Sequence, residues 1–152
     1  MPSLADDKAE IELLLTRYAR ACDNRDFDAV AECFTPDAQA EYSGVRLPPG
    51  VANIKAHVAQ LAALTLTQHI VGSVSVEIDG DHARCESYAL AHLVRATGDG
   101  HEVVHRGLSY SDQLVRTPKG WRIRERIHRV LWSTSEPTVW PVPAFTHRAQ
   151  PQ

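Results

Sequence analysis

Residues 67–96 read TQHIVGSVSVEIDGDHARCESYALAHLVRA, and this stretch decides the fold. Apolar and polar residues alternate on both sides of Asp79-Gly80-Asp81, a turn-forming triplet. Alternation with a period of two places one set of side chains on each face of a β-strand, and a short Asp/Gly connection joins antiparallel strands. The stretch therefore predicts a hairpin of two long strands, at 67–78 and 83–96.

The same alternation continues to residue 133. Two further strand runs, at 102–116 and 121–133, follow the turn sequences Gly98-Asp99-Gly100 and Pro118-Lys119-Gly120. Tight turns between long strands connect neighbours in the sheet. The second half of the chain is therefore predicted to form an antiparallel meander of four strands.

The N-terminal half shows the period of 3.6 that is typical of helices. Apolar residues over 6–22 follow the spacing i, i+3, i+4, i+7, i+8, i+11, which predicts one amphipathic helix. A second helix is predicted over 27–34 with Asp26 as its N-cap, and a third over 51–64, with a short strand at 38–42 between them. The predicted fold class is α+β: a curved antiparallel sheet with helices packed on its concave face, which is a cone-shaped α+β barrel.

The composition is typical of one soluble globular domain. The chain has 152 residues, of which 43% are hydrophobic and 23% charged, with a formal net charge of −3. This charge argues against nucleic acid or a membrane surface as a partner, and no apolar run is long enough to span a bilayer. The N-terminus lacks a signal-peptide pattern, so we expect a cytoplasmic protein with a single domain over 1–134 and a proline-rich tail over 135–152.

The cysteine and histidine patterns do not predict a metal site or a disulfide framework. The three cysteines are isolated from one another, and one pair among the eight histidines, His101 and His105 in HEVVH, has the HExxH spacing of zinc ligands. That spacing binds zinc on a helix, whereas HEVVH stands at the start of a run predicted as a strand, where residues four apart are about 13 Å from each other. We therefore expect no metal site and no cofactor.

Two polar residues, Asp23 and His69, stand where their surroundings predict core. A carboxylate that orients an imidazole can move a proton near neutral pH. Strict alternation places His69 on the face opposite Val74, so we predict a bulge near Gly72 that turns His69 inward. The alternatives are that Asp23 caps the next helix and that His69 is a core histidine bonded to a backbone carbonyl.

Three motifs resemble one known family. They are RYARACDNRDFDAVAECFTPDA at 17–38, TQHIVGSVSVEIDGDHA at 67–83 and DQLVRTPKGWRIRERIHRVLW at 112–132. Together with the order of elements they resemble the SnoaL-like branch of the nuclear transport factor 2-like superfamily, over about residues 5–134. This branch includes scytalone dehydratase, hexachlorocyclohexane dehydrochlorinase, bile-acid 7α-dehydratase and polyketide cyclases.

The resemblance implies an Asp–His pair in the cone that abstracts a proton and promotes elimination. Asp23 and His69 match this pair, and Tyr18 matches a tyrosine that some dehydratases place five residues before the Asp. Arg129 resembles an arginine on the last strand of the bile-acid enzyme. His92 lies near the position of a second pocket histidine in scytalone dehydratase.

Alternation also assigns faces on the last strand. It places Arg129 inward, where it must meet Glu125, Asp23 or an anionic substrate group, because a buried unpaired cation is costly. It places Arg126 and His128 outward, on a solvated face. The apolar walls of the pocket are predicted to be Phe27, Val30, Phe34, Tyr88 and Trp132.

These residues predict a cofactor-independent, dehydratase-like lyase that acts on a small, mostly apolar ring compound. The alternatives are an isomerase or polyketide-type cyclase in the same cone, and a non-catalytic small-molecule-binding or dimerisation domain. Small and apolar residues on the convex face of the sheet predict a homodimer or homotrimer. Trp140 and Phe145 in the tail are predicted to cover the mouth of the pocket or to dock on a neighbouring subunit.

Overall fold

The computed structural model describes residues 2–140. Its elements in chain order are α1 Leu4–Asn24, α2 Phe27–Glu32, β1 Phe34–Tyr42, β2 Val45–Arg46, α3 Val51–Val58, a 3₁₀ helix Ala59–Ala63, β3 Leu66–Asp79, β4 His82–Thr97, β5 Gly100–Thr117 and β6 Gly120–Thr138. The strands form one curved, unclosed sheet in the order β2-β1-β6-β5-β4-β3. The α+β class predicted from the sequence is confirmed. No helix in this part of the chain is both long enough and apolar enough to cross a membrane.

Local capping fixes both ends of α1 and the start of α2. The Ser3 hydroxyl accepts the Asp6 backbone N–H at 3.1 Å, and the Asp6 carboxylate accepts the Ser3 N–H at 2.9 Å, which is a capping box. The helix ends at Asn24 and is capped by Arg25, whose φ of 60° is left-handed. The predicted N-cap of α2 is confirmed, because the Asp26 carboxylate accepts the Ala29 N–H at 3.0 Å.

Several boundaries differ from the sequence prediction. The second helix ends at Glu32, so Phe34 is the first residue of β1 and not part of a helix. β1 pairs in parallel with β6, the one parallel pair in the described sheet, and the two-residue strand β2 was not predicted. β6 continues past the predicted end at 133 to Thr138. Trp140 is half-buried, and Phe145 lies outside the described residues.

The predicted bulge in β3 is present at Gly72. Gly72 lies opposite Tyr88 of β4 whereas Ser75 lies opposite Glu86, so β3 contains one extra residue. Ser73 adopts a left-handed φ of 50° at this point. The extra residue changes the parity of the strand. His69 and the apolar residues that follow the bulge therefore share the concave face.

A bulge in β6 overturns the predicted facing of its arginines and His128. Leu114 of β5 lies opposite Ile123, but Gln113 lies opposite Glu125, so Arg124 is an extra residue. Beyond it, Arg126 and His128 point to the concave side, and Arg129 is exposed. The placement of Arg129 inward and of Arg126 and His128 outward was therefore wrong.

The concave side of β6 carries a fully buried ion pair. Arg126 is 1% exposed, and its guanidinium donates to both carboxylate oxygens of Asp112 on β5, at 2.8 and 2.7 Å. It also stacks at 4.3 Å on the ring centroids of Tyr18 and Tyr110. Burial opposes the charge, but Asp112 outweighs it and holds the pKa of Arg126 well above its ordinary value. The ion pair thus packs against the rings of Tyr18 and Tyr110 and holds them in place.

We expect Asp112→Ala to destabilise the fold by about 3–5 kcal/mol, because it leaves a buried guanidinium without its counter-ion. Urea unfolding followed by circular dichroism measures this change in the free energy of unfolding. The control is Glu77→Ala, which removes an exposed partner of Arg84 and is expected to leave stability nearly unchanged. Equal effects of the two substitutions would contradict a structural role for the buried pair.

Candidate active site

A cavity of about 460 Å³ lies between the helices and the concave face of the sheet. This volume suits a ligand of one or two rings. Most of the lining side chains are apolar or aromatic, and the polar groups among them are few. The lining residues are Tyr18, Cys22, Tyr42, Ser43, Val45, His57, Val58, Gln60, Leu61, Ala63, Leu64, His69, Ala91, Leu93, Arg106, Leu108, Tyr110 and His128.

Asp23 and His69 are in direct contact at one end of this cavity. The His69 Nδ1 lies 2.6 Å from Asp23 Oδ1, and the His69 backbone N–H donates to Asp23 Oδ2 at 2.8 Å. Only 9% of the His69 side chain and 19% of the Asp23 side chain are exposed. The carboxylate at the end of α1 therefore fixes both the backbone and the ring of one residue on β3.

Two neighbours complete the surroundings of the Asp23 carboxylate. Thr67 donates its hydroxyl hydrogen to Asp23 Oδ1 at 3.0 Å, and Arg25 donates to the Thr67 oxygen at 2.6 Å. Burial tends to raise the pKa of Asp23, but the hydrogen bonds from His69 and Thr67 outweigh burial and lower it below its usual value. Asp23 is therefore ionised at neutral pH.

The ionised carboxylate determines which nitrogen of His69 carries the proton. A carboxylate can only accept a hydrogen bond, so Nδ1 donates to Asp23. In the neutral ring, Nε2 is then the free acceptor. His69 lines the cavity, whereas Asp23 stands behind it. This is the arrangement of a general base held in one tautomer by a carboxylate.

Two tyrosines, Tyr18 and Tyr42, also line the cavity and lie close to each other. The hydroxyl oxygens of Tyr18 on α1 and Tyr42 on β1 are 3.0 Å apart. Burial raises the pKa of both phenols, so each stays neutral and can donate a hydrogen bond. The guanidinium of Arg126 faces the ring of Tyr18 from below. This pair can bind a ligand oxygen that gains negative charge.

His128 is a cavity residue that the sequence analysis had discounted. Its ring lies 5.2 Å from that of Tyr42 and 5.3 Å from that of Tyr110. Burial, together with the charge of Arg126, lowers its pKa to about 4. His128 is therefore neutral at physiological pH. Burial also lowers the pKa of His57, whose ring lies 4.6 Å from that of Tyr42.

Several residues assigned to the pocket from the sequence lie elsewhere. Tyr88 and Trp132 are 57% and 50% exposed on the convex face, where Trp132 covers Gly107. His92 is outside the cavity lining and contacts His105 at 2.8 Å. These assignments are corrected, because Ala89, Ala91 and Leu93 are the residues of β4 that face inward. Arg129 is likewise outside the lining.

The two phenylalanines are core residues and do not line the cavity. Phe34 is buried and packs edge-on against Tyr18, with 5.8 Å between ring centroids. Phe27 is partly buried against the same core. Their predicted contact with substrate is therefore replaced by a role in supporting the cavity wall.

The sequence analysis did not assign to the pocket most of the polar residues that line the cavity: Tyr42, Ser43, His57, Gln60, Arg106, Tyr110 and His128. Tyr110 and Arg106 share the inward parity of β5 with the apolar Leu108, a signal that alternation alone could have supplied. His128 was hidden by the bulge at Arg124.

Neutral thiols and the absence of lining carboxylates limit the chemistry of the cavity. Burial raises the pKa of Cys22 and of Cys85 to about 12, so neither is a thiolate. Within residues 2–140, no three His, Cys, Asp or Glu side chains stand close enough together to hold a metal ion. Among the described lining residues, the polar groups available to a ligand are imidazoles, phenols, one guanidinium, the Ser43 hydroxyl and the Gln60 carboxamide.

The lowered pKa of His128 predicts a pH-dependent stability. Between its ordinary value of about 6.5 and its folded value of about 4, the unfolded state binds the proton more readily, so stability falls as the pH drops through this window. We expect the melting temperature to fall less between about pH 7 and about pH 5 in His128→Asn than in the wild type. Scanning calorimetry at both pH values measures the melting temperatures. An identical fall in both proteins would contradict a lowered pKa of His128 in the folded state.

Residues 3–127 match the model of the SnoaL-like domain. An uncharacterised protein of Mycobacterium tuberculosis is 39% identical over 123 residues, which cover 80% of this chain and 83% of that protein.

Two solved structures share the fold at low sequence identity. A candidate scytalone dehydratase from Novosphingobium aromaticivorans has a TM-score of 0.75 at 17% identity, covering 86% of this chain and 88% of that one. A hexachlorocyclohexane dehydrochlorinase of type 2 has a TM-score of 0.75 at 15% identity, covering 87% and 90%. Because the family model matches most of its length, the chain belongs to the SnoaL-like domain family.

Proposed function

We propose that this protein is a cofactor-independent lyase of the dehydratase type. The observation that carries the proposal is the contact between Asp23 and His69, with the free Nε2 of His69 in a mostly apolar cavity. A base that is oriented by a buried carboxylate and screened from water has the properties needed to remove a proton from carbon. The proposed substrate is a small, mostly apolar ring compound.

In the proposed reaction, His69 Nε2 takes a proton from the carbon next to an activating carbonyl group. The electron pair left on that carbon forms a carbon–carbon double bond as the bond to a neighbouring hydroxyl group breaks. The leaving hydroxide takes the proton from the imidazolium of His69, so the net change is loss of one water. Asp23 stabilises the imidazolium while it exists.

Tyr18 and Tyr42 supply the second half of the mechanism. Negative charge develops on the carbonyl oxygen as the proton leaves carbon. Two neutral phenols within hydrogen-bonding distance of each other can direct one O–H to that oxygen. Tyr18 is therefore proposed to stabilise the oxyanion and not to transfer the proton.

The solved structures with this fold include proteins whose names denote elimination chemistry, a dehydratase and a dehydrochlorinase. Because their sequence identity to this chain is low, their structural similarity supports the fold alone. The choice of elimination chemistry depends on the Asp23–His69 pair. An isomerase or a polyketide-type cyclase would use the same base without losing a leaving group. The mass of the product separates these reactions, because only elimination of the hydroxyl group loses water.

The test of the lyase uses a panel of cyclic β-hydroxy ketones, some of which carry a carboxylate on the ring. Formation of the conjugated double bond is followed by ultraviolet absorbance, and loss of water by mass spectrometry. We expect Asp23→Asn and His69→Ala to lower turnover by about 10²–10⁴-fold, because each removes or misorients the base. Binding of the same compounds, measured by calorimetry, is expected to persist.

Asp28→Asn is the matched control, because Asp28 is an exposed carboxylate outside the cavity that pairs with Lys55. It is expected to retain full turnover. Conversion to a product of unchanged mass would identify an isomerase or cyclase. Equal turnover in the wild type and in both dyad variants would contradict acid–base catalysis by this pair, and binding of the panel without any turnover would favour a binding domain.

We also propose that the protein is a homodimer or homotrimer, as the sequence predicts. The convex face of the sheet exposes the apolar side chains of Ile70, Tyr88, Leu90, Leu131 and Trp132. Contiguous apolar surface of this kind favours association. The cytoplasmic location expected from the sequence stays a prediction.

Size-exclusion chromatography with light scattering tests this assembly. We expect a mass of two or three chains for the wild type and a shift toward one chain for Leu131→Glu, because the new charge would be buried in the interface. Leu13→Glu, on the exposed face of α1, is the control. A wild-type protein that elutes with the mass of one chain at high concentration would refute the proposal.

A further inference from the structure

Arg106 and His69 point into the same cavity from one row of the sheet. Arg106 of β5 lies opposite Ala91 of β4, and Ala91 lies opposite His69 of β3. All three residues line the cavity. Adjacent strands are about 4.8 Å apart, so the backbones of Arg106 and His69 are separated by roughly 10 Å. The small side chain of Ala91 leaves the space between the two polar groups open.

The guanidinium of Arg106 has no counter-ion in the described part of the chain. It takes part in none of the salt bridges or side-chain hydrogen bonds found there, and its Nε is buried without a partner. No Asp or Glu is among the described residues that line the cavity. This contrasts with Arg126, whose buried charge is matched by Asp112.

An unmatched guanidinium beside an apolar cavity has a definite chemical preference. A cation that is partly removed from water loses hydration, and it regains that free energy when an anionic oxygen group enters. The planar guanidinium matches the two oxygens of a carboxylate better than a single neutral oxygen. The imidazole of His128 is neutral at physiological pH and supplies no competing charge.

We propose that Arg106 determines specificity by binding a carboxylate on the substrate while the remainder of the substrate occupies the apolar space toward His69. The substrate class is thereby narrowed to ring compounds that carry a carboxylate. This inference rests on the proposed function only in placing the reacting carbon at His69. The preference for an anion is a binding property and does not require turnover.

The test compares two ligands of nearly equal shape, 2-naphthoate and 2-naphthamide, by isothermal titration calorimetry. The wild type is expected to bind the carboxylate at least tenfold more tightly than the amide, because only the carboxylate pairs with Arg106. Arg106→Gln is expected to bind both ligands with similar affinity. Arg106→Lys keeps the charge and is expected to retain part of the preference.

Two control variants separate this inference from the lyase. Arg129→Gln removes an exposed arginine outside the cavity and should keep the full preference. His69→Ala should keep it too, although it is expected to lose turnover, so failure of the catalytic proposal and failure of this one give different results. Melting curves establish that each variant is folded.

Three results would overturn the inference. The first is a wild-type protein that binds the two ligands equally. The second is a folded Arg106→Gln variant that retains the preference for naphthoate. The third is the absence of measurable naphthoate binding by the wild type at millimolar concentration.

Discussion

The carboxylate of Asp23 connects the end of α1 to the edge of the sheet, and the proposed chemistry depends on that connection. In the sheet formed by residues 2–140, β3 is an edge strand, with β4 on one side and no strand on the other. Edge strands present backbone donors that need partners. Asp23 satisfies the backbone N–H of His69 with one oxygen and its ring with the other. The carboxylate that accepts the free backbone N–H at the edge of the sheet therefore also orients the base.

The buried ion pair of Arg126 and Asp112 is a second constraint on the structure. Its charge is matched by Asp112, and its flat face supports Tyr18 and Tyr110. Because this arginine is fully buried and paired with its own carboxylate, it contributes rigidity and a positive potential and is not free to bind a ligand, although its Nη1 has no hydrogen-bond partner among the described residues. The potential helps to keep His128 neutral. The cavity thus combines one oriented base, neutral phenols and neutral imidazoles with a single cation at its lining.

The sequence was informative where two local signals agreed or openly conflicted. The meander and α1 followed from periodicity, and the bulge at Gly72 followed from a conflict between alternation and the position of His69. At Arg124 no such conflict existed, since the alternation WRIRERIHR contains no glycine and an inward Arg129 had an acceptable partner in Glu125. The prediction that Tyr88 on β4 lines the pocket was wrong, because alternation does not say which face of the sheet is concave. On β4 the wall of the cavity is made by Ala91 and Leu93, and the small side chain of Ala91 leaves open space, while Tyr88 points away.

The extra residue at Arg124 has an evolutionary consequence. Gain or loss of one codon in this part of the gene would exchange the inner and outer side chains of the following stretch, bringing Arg129 into the cavity and turning Arg126 and His128 toward solvent. Relatives could therefore acquire a different ligand-contacting set in a single genetic event, with almost unchanged amino-acid composition. An alignment that slips by one position here would compare side chains from opposite surfaces of the protein.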